Sequence, residues 1–141
     1  MRFLEVDDVL EIAYRVTDGA AVVRDPGLLQ AAVFRYRTTV FGEDAYPTVF
    51  DKAAALLESL ARNNALVDGN KRTAWTAAVV FLGINGYRVT LDNAPTLETY
   101  PFVIAVATGE LDGIEEIAAR LAKFAGQANT EEGPQPGPAR P

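Results

Sequence analysis

Four polar side chains in one short run could do chemistry together: Asp68, Asn70, Lys71 and Arg72, within NNALVDGNKR (63–72). Lysine and arginine neutralise phosphate oxygens, arginine often as a two-pronged donor. One carboxylate, Asp68, can hold Mg²⁺, a hard cation that takes one or two carboxylates and leaves its other positions to phosphate and water. Asn70 can donate its amide to an anion. These are the parts of a phosphoryl- or nucleotidyl-transfer site, where positioning and charge neutralisation do most of the work. The same residues also suit an ordinary helix start, with Asp68 as the cap, Gly69 as a turn, and Lys71 and Arg72 in solvent. The run is not a Walker A loop, because GxxxxGK[ST] is absent.

The segment that follows must position these groups. Ala74, Trp75, Ala77, Ala78, Val79, Val80, Phe81, Leu82 and Ile84 leave almost no polar side. A helix that is apolar all round is buried in its domain. The polar run therefore feeds the N-terminus of a buried central helix. That end offers unpaired N–H groups and the positive end of the helix dipole, which suits an anion. Cations in the first turn are unfavourable there unless something negative binds nearby.

The rest of the chain supplies packing and walls. Apolar residues from Leu4 to Val16 recur at helical spacing and predict a helix over about 5–17. Asp25-Pro26-Gly27 reads as a cap and a first-turn proline, opening a short helix with Leu28, Leu29, Ala32 and Val33. Residues 36–46, YRTTVFGEDAY, change to strand formers around a Gly42-Glu43-Asp44 turn and predict a hairpin flap. Pro47 opens a third helix to about residue 63. After the central helix, residues 87–91 read as a short extended piece. A fifth helix over about 96–107 has Pro101 in its first turn, and Asp112 caps a sixth. The expected fold is all-α: about six helices around a buried central helix, with one small β-hairpin. Residues 1–125 form one domain, and 126–141 form a Pro/Gly-rich tail expected to be disordered.

Bulk properties narrow the function. The chain has 141 residues, 49% hydrophobic, enough for one real core. Its net charge of −6 argues against a direct nucleic-acid partner. No apolar run is long enough for a membrane span, and the start, MRFLEVDDVLEI, is no signal peptide. Absence of cysteine excludes thiolate metal sites and fits a reducing, cytoplasmic setting. There is also no histidine.

The run Asn64-Ala65-Leu66-Val67-Asp68-Gly69-Asn70-Lys71-Arg72 resembles the Fic/Doc superfamily signature, H-x-F-x-D/N-G/A-N-K/G-R, with the N-K-R ending of the Doc (death-on-curing) toxins. Arg24-Asp25-Pro26-Gly27-Leu28-Leu29 resembles a second segment typical of Doc-like proteins, and the resemblance covers about residues 3–124. It implies a Fic fold and the toxin of a bacterial type II toxin–antitoxin pair. It further implies a phosphotransferase that moves a phosphate from ATP to a hydroxyl of elongation factor Tu and blocks translation. Related Fic enzymes transfer AMP and carry glycine where this chain has Lys71, so the lysine favours the Doc-type reaction. By position, Asp68 would bind Mg²⁺ and Asn70 would hold a phosphate oxygen. Gly69, Lys71 and Arg72, joined by Arg62, would surround the nucleotide phosphates. The flap would hold the target by strand-like pairing. The implied partner is a Phd-type antitoxin, whose amphipathic helix would fill an apolar groove among the first, fourth and sixth helices.

Two positions depart from the signature. Asn64 stands where the family has the histidine that takes the proton from the target hydroxyl, and an amide cannot accept a proton near neutral pH. Leu66 replaces phenylalanine, a tolerable apolar exchange. Asn64 fits a deliberate inactivation, the reading favoured by its size and hydrogen-bonding reach, or a naturally degenerate member. A non-catalytic Fic-fold binding protein is the alternative from a different class. Trp75 reads as core rather than a stacking platform, and Arg35 and Arg37 read as solvated.

Overall fold

The structure, a computed structural model, describes residues 1–126. Six helices follow one another: α1 (Val6–Val16), α2 (Pro26–Arg35), α3 (Val49–Arg62), α4 (Asn70–Ile84), α5 (Thr96–Thr108) and α6 (Ile114–Ala125). Between α2 and α3 lies one antiparallel hairpin, β1 (Thr39–Val40) and β2 (Glu43–Asp44). The architecture is the expected all-α one with a hairpin. The tail expected to be disordered lies, beyond Gly126, outside the described residues.

Local signals explain most boundaries. The Asp25 carboxylate accepts from the N–H of Leu28 and starts α2, with Pro26 at the first position. Thr48 and Asp51 form a reciprocal capping box, so α3 begins two residues after Pro47. The hairpin closes through Phe41 and Gly42, both at positive φ, pairing Thr39 with Asp44 and Val40 with Glu43. Two positive φ values in a two-residue loop make a turn whose twist matches the strands. Phe41 is fully exposed at its tip.

Three expected details differ. Residues 87–90 form no strand, because nothing pairs with them. Pro101 falls inside α5 rather than in its first turn, on the solvent side. Gly113, not Asp112, is the N-cap of α6, and the Asp112 carboxylate pairs with Arg62.

The core sits between α3 and α4. Every residue of α3 from Lys52 to Ala61 is buried. The inner face of α4, Thr73, Ala74, Ala77, Ala78, Phe81 and Leu82, packs against the same core. Small alanines on both helices let them approach closely. Phe81 also meets Tyr36 edge-on, with ring centroids 5.0 Å apart. No helix among the described residues is long and apolar enough to cross a membrane.

Candidate functional site

The polar run lies at the N-terminus of α4, as its residue order requires. Gly69 is the N-cap, at a φ of 84°. It carries no side chain, so no cap hydrogen bond is made there. Asp68 is therefore not the cap. One of its oxygens accepts from the N–H of Gly69 at 2.8 Å, and the residue is exposed. Glycine is required at 69 twice over, since a Cβ there would stand 2.7 Å from the Thr17 methyl. The loop thus rests directly on the end of α1.

The loop is also held from within. The Asn70 side chain reaches back to Leu66, accepting from its N–H at 3.0 Å and donating to its carbonyl at 2.9 Å. One N–H of its amide braces the loop in this way, and the second N–H is left for the phosphate oxygen expected there. A two-sided amide contact to a buried peptide unit is a local signal the spacing i, i+4 could have supplied.

The second Doc-like segment forms the other wall. Val23 bridges Leu66 in antiparallel fashion, and the N–H of Val67 donates to Val22 at 2.9 Å. The N–H groups of Arg24 and Asp25 both donate to the carbonyl of Ala65. The Arg24 guanidinium donates through Nε, at 2.9 Å, and through Nη2 to the carbonyl of Asn64. The two segments singled out in the sequence are therefore paired, although 40 residues separate Arg24 from Asn64.

Asn64 is exposed and has a φ of 54°. Among non-glycine residues, asparagine and histidine are several-fold enriched at such angles. The backbone at this position is therefore suited to both residues. Lys71 and Arg72 are exposed in the first turn of α4. Arg72 gives one donor, Nη1, to the carbonyl of Val16 at 2.7 Å, which leaves the rest of its fork for another acceptor. Both line a mostly apolar cleft of about 210 Å³ with Trp75, Tyr100, Val103 and Ile104. Trp75 is half-buried and edge-packed on Phe102 and Phe124, so it is at once core and cleft wall. This apolar cleft opens between α4 and α5.

Arg62, expected beside the nucleotide, is a correction. Nε donates to the carbonyl of Val106 at 2.7 Å, Nη2 to Leu111 at 3.1 Å, and Nη1 meets Asp112 and Glu58. Its fork closes the α5–α6 connection onto α3. Arg35 and Arg37, read as solvated, are structural as well. Arg37 grips Glu5 with two bonds of 3.0 Å, and Arg35 joins Tyr46, Glu58 and Ser59. Burial opposes the charge on Arg35, but its bonds to Glu58 and Tyr46 outweigh that and raise its pKa. Lys52, buried in α3, was not foreseen: it pairs with Asp44 at 2.9 Å and donates to the carbonyl of Tyr46, tying down the flap.

A Mg²⁺ ion fits these residues in one way only. Among the described residues no group of three or more acidic, histidine or cysteine side chains converges. Asp68 would be the one protein ligand, with an exposed oxygen left over. Mg²⁺ accepts that arrangement when phosphates supply the remainder.

The chain matches the model of the Fic/DOC family over residues 3–82, from before α1 into α4. The chain belongs to the Fic/DOC family. It is 52% identical over 128 residues to "Toxin Doc" of Mycolicibacterium smegmatis, covering 91% of this chain and 97% of that one. It is 32% identical over 110 residues to "Protein kinase doc" of Escherichia phage P1, covering 78% of this chain and 82% of that one. Family membership explains why the Arg24 segment and the 64–72 loop occur together, since each is the other's hydrogen-bonding wall.

Proposed function

We propose that this chain is the toxin of a bacterial type II toxin–antitoxin pair, acting in the cytoplasm. Its site transfers the γ-phosphate of ATP to a hydroxyl of elongation factor Tu, which blocks translation, and Asn64 impairs that transfer in this chain. The observation that carries the reading is the α4 N-terminus: exposed Lys71 and Arg72 in a first turn with unpaired N–H groups, directly after a loop that presents exposed Asn64 and exposed Asp68. Two cations at the positive end of a helix make sense where a polyanion binds. Similarity to proteins called "Toxin Doc" and "Protein kinase doc" supports toxin and kinase over AMP transfer. Lys71, where AMP transferases carry glycine, supports the same choice.

Each residue then has a task. Lys71, the free donors of Arg72 and the first-turn N–H groups bind and orient the phosphates. Asp68 would hold Mg²⁺, which supplies charge neutralisation at the phosphates when bound. The target oxygen forms a bond to the γ-phosphorus as the bond to the β–γ bridging oxygen breaks, and ADP leaves. The hydroxyl proton needs an acceptor at position 64, and the Asn64 amide is not basic enough to provide one. That same fact favours the second reading, a Fic-fold protein that acts by binding alone.

The experiment is Asn64→His incubated with Mg²⁺, elongation factor Tu and ATP labelled at either the γ- or the α-phosphate. Transfer of γ-label supports the kinase. Transfer of α-label moves the protein to AMP transfer, and no transfer of either leaves the binding reading standing. The partner is an antitoxin of the Phd type. The apolar cleft between α4 and α5, with exposed Tyr100 in its wall, supports helix-in-groove docking. Separate elution of the two proteins from a sizing column at micromolar concentration would count against that partner.

A further inference from the structure

We propose that Arg24 is the positioning residue for position 64, an inference that rests on the transfer reaction proposed above. Its guanidinium places two donors, Nε and Nη2, on the single carbonyl of Asn64. That carbonyl belongs to a non-glycine residue at a φ of 54°, a conformation that needs outside support in most sequence contexts.

Among the described residues no other hydrogen bond reaches the Asn64 carbonyl. Asn70 braces Leu66, and Val22 receives the N–H of Val67, so the half of the loop after residue 65 has its own bonds. Residue 64 stands before them, exposed, with Arg24 on its carbonyl.

Arg24 itself is mounted on a rigid base. Its own N–H and that of Asp25 are both fixed to the carbonyl of Ala65, at 2.8 and 3.0 Å. The next side chain, Asp25, caps α2 through Leu28 at 3.1 Å. The guanidinium is thus carried by the residue directly before the N-cap of α2 and reaches across to the residue directly before the one that anchors its backbone. A planar fork on a short mount gives angular control that a flexible ammonium does not. Position 64 is where the proton acceptor must stand, and general-base efficiency depends on holding it within hydrogen-bond reach of the hydroxyl. Arg24 touches no reacting atom in this scheme. It sets where the side chain of residue 64 points.

Two measurements test this, with Arg24→Gln and Arg24→Lys. The first uses the chain as it stands, with Asn64. Backbone ¹⁵N relaxation should give Asn64 an order parameter near the rigid value of about 0.85, falling below about 0.6 in Arg24→Gln. Leu66 and Val67 should keep their order, held by Asn70 and Val22. The second uses the Asn64→His enzyme. Adding Arg24→Gln should lower kcat at least tenfold while KM for ATP stays within twofold, and Arg24→Lys should recover only part of the loss. An Asn64 as ordered in Arg24→Gln as in the parent overturns the proposal, and so does an unchanged kcat or a full rescue by lysine. If Asn64→His transfers no phosphate at all, the proposed function fails, and the relaxation measurement still decides whether Arg24 positions residue 64.

Discussion

The Asn70 amide clasps the peptide unit of Leu66 from both sides, at 3.0 and 2.9 Å, and so makes the catalytic-type loop a closed ring. Leu66 is buried, so its N–H and carbonyl have no easy recourse to water. Removing the clasp leaves both unpaired. Asn70→Ala should lower stability by about 1–3 kcal/mol, the cost of buried polar groups without partners. Asn70→Asp keeps the acceptor, loses the donor and should fall between. Urea unfolding of the three proteins checks the order; an Asn70→Ala protein as stable as the parent would show that the clasp is not structural.

Arg72 is the residue on which nucleotide affinity should depend most. It keeps free donors at the mouth of the cleft while one arm rests on the Val16 carbonyl. Because no phosphate contact needs a histidine, the Asn64 protein should still bind ATP·Mg²⁺ weakly. Arg72→Ala should weaken binding at least tenfold, about 1.4 kcal/mol or more. Calorimetry measures it directly. Trp75, the chain's single tryptophan, lines the same cleft and gives an independent fluorescence signal. Undiminished affinity in Arg72→Ala would place the phosphates elsewhere.

Gly69→Ala should be poorly tolerated. The added methyl meets Thr17 at 2.7 Å, and alanine is strained at a φ of 84°. We expect a loss of about 1–3 kcal/mol from the backbone conformation and the contact. Gly69→Ala combined with Thr17→Ser removes the methyl that is struck and should recover the steric part only. Thermal unfolding separates the two contributions.

Lys52 fastens the flap from inside α3. With the ammonium gone, the carbonyl of Tyr46 loses its donor, while Asp44, half exposed, can turn to water. Lys52→Met keeps the buried stem and should cost about 1–2 kcal/mol. Proteolysis should then cut first within 39–45. A flap as protected in Lys52→Met as in the parent would mean that Arg35 and Tyr46 hold it unaided.

Tyr36 gives a pH dependence whose sign can be worked out. Burial pushes its hydroxyl up from 10.0 to about 12, against a smaller lowering from the Leu4 hydrogen bond. Between those values the unfolded chain has released the proton and the folded chain keeps it. Stability from this group is intact below pH 10 and is lost as pH rises towards 12, by up to about 3 kcal/mol for two pKa units. Tyr36→Phe should remove that slope while losing the bonds to the Leu4 N–H and carbonyl. Urea midpoints from pH 9 to 12 for both proteins isolate the effect from other groups that titrate there.

The chain by itself determined its helices, its hairpin and the place of its site. Period-3.6 apolar spacing, the Asp25-Pro26 start and the Gly42 turn act within a few residues, so they can be read in order along the chain. The apolar run from Ala74 to Ile84 likewise required a buried helix with the polar loop at its N-terminus. What each polar side chain does was decided only by tertiary structure. Arg62 reads as a phosphate ligand until α5 and α6 bring Val106, Leu111 and Asp112 to it from 44 to 50 residues away. Arg24 reads as one letter of a segment until α2 sets it on Asn64. Lys52, Arg35 and Arg37 look like surface charges because charge is normally solvated, yet each finds a partner on another element. A long donor-rich side chain reaches several ångströms in any direction, so its partner is fixed by which backbones the core packs beside it. Sequence spacing encodes the faces of the helices, and only the assembled core selects those neighbours.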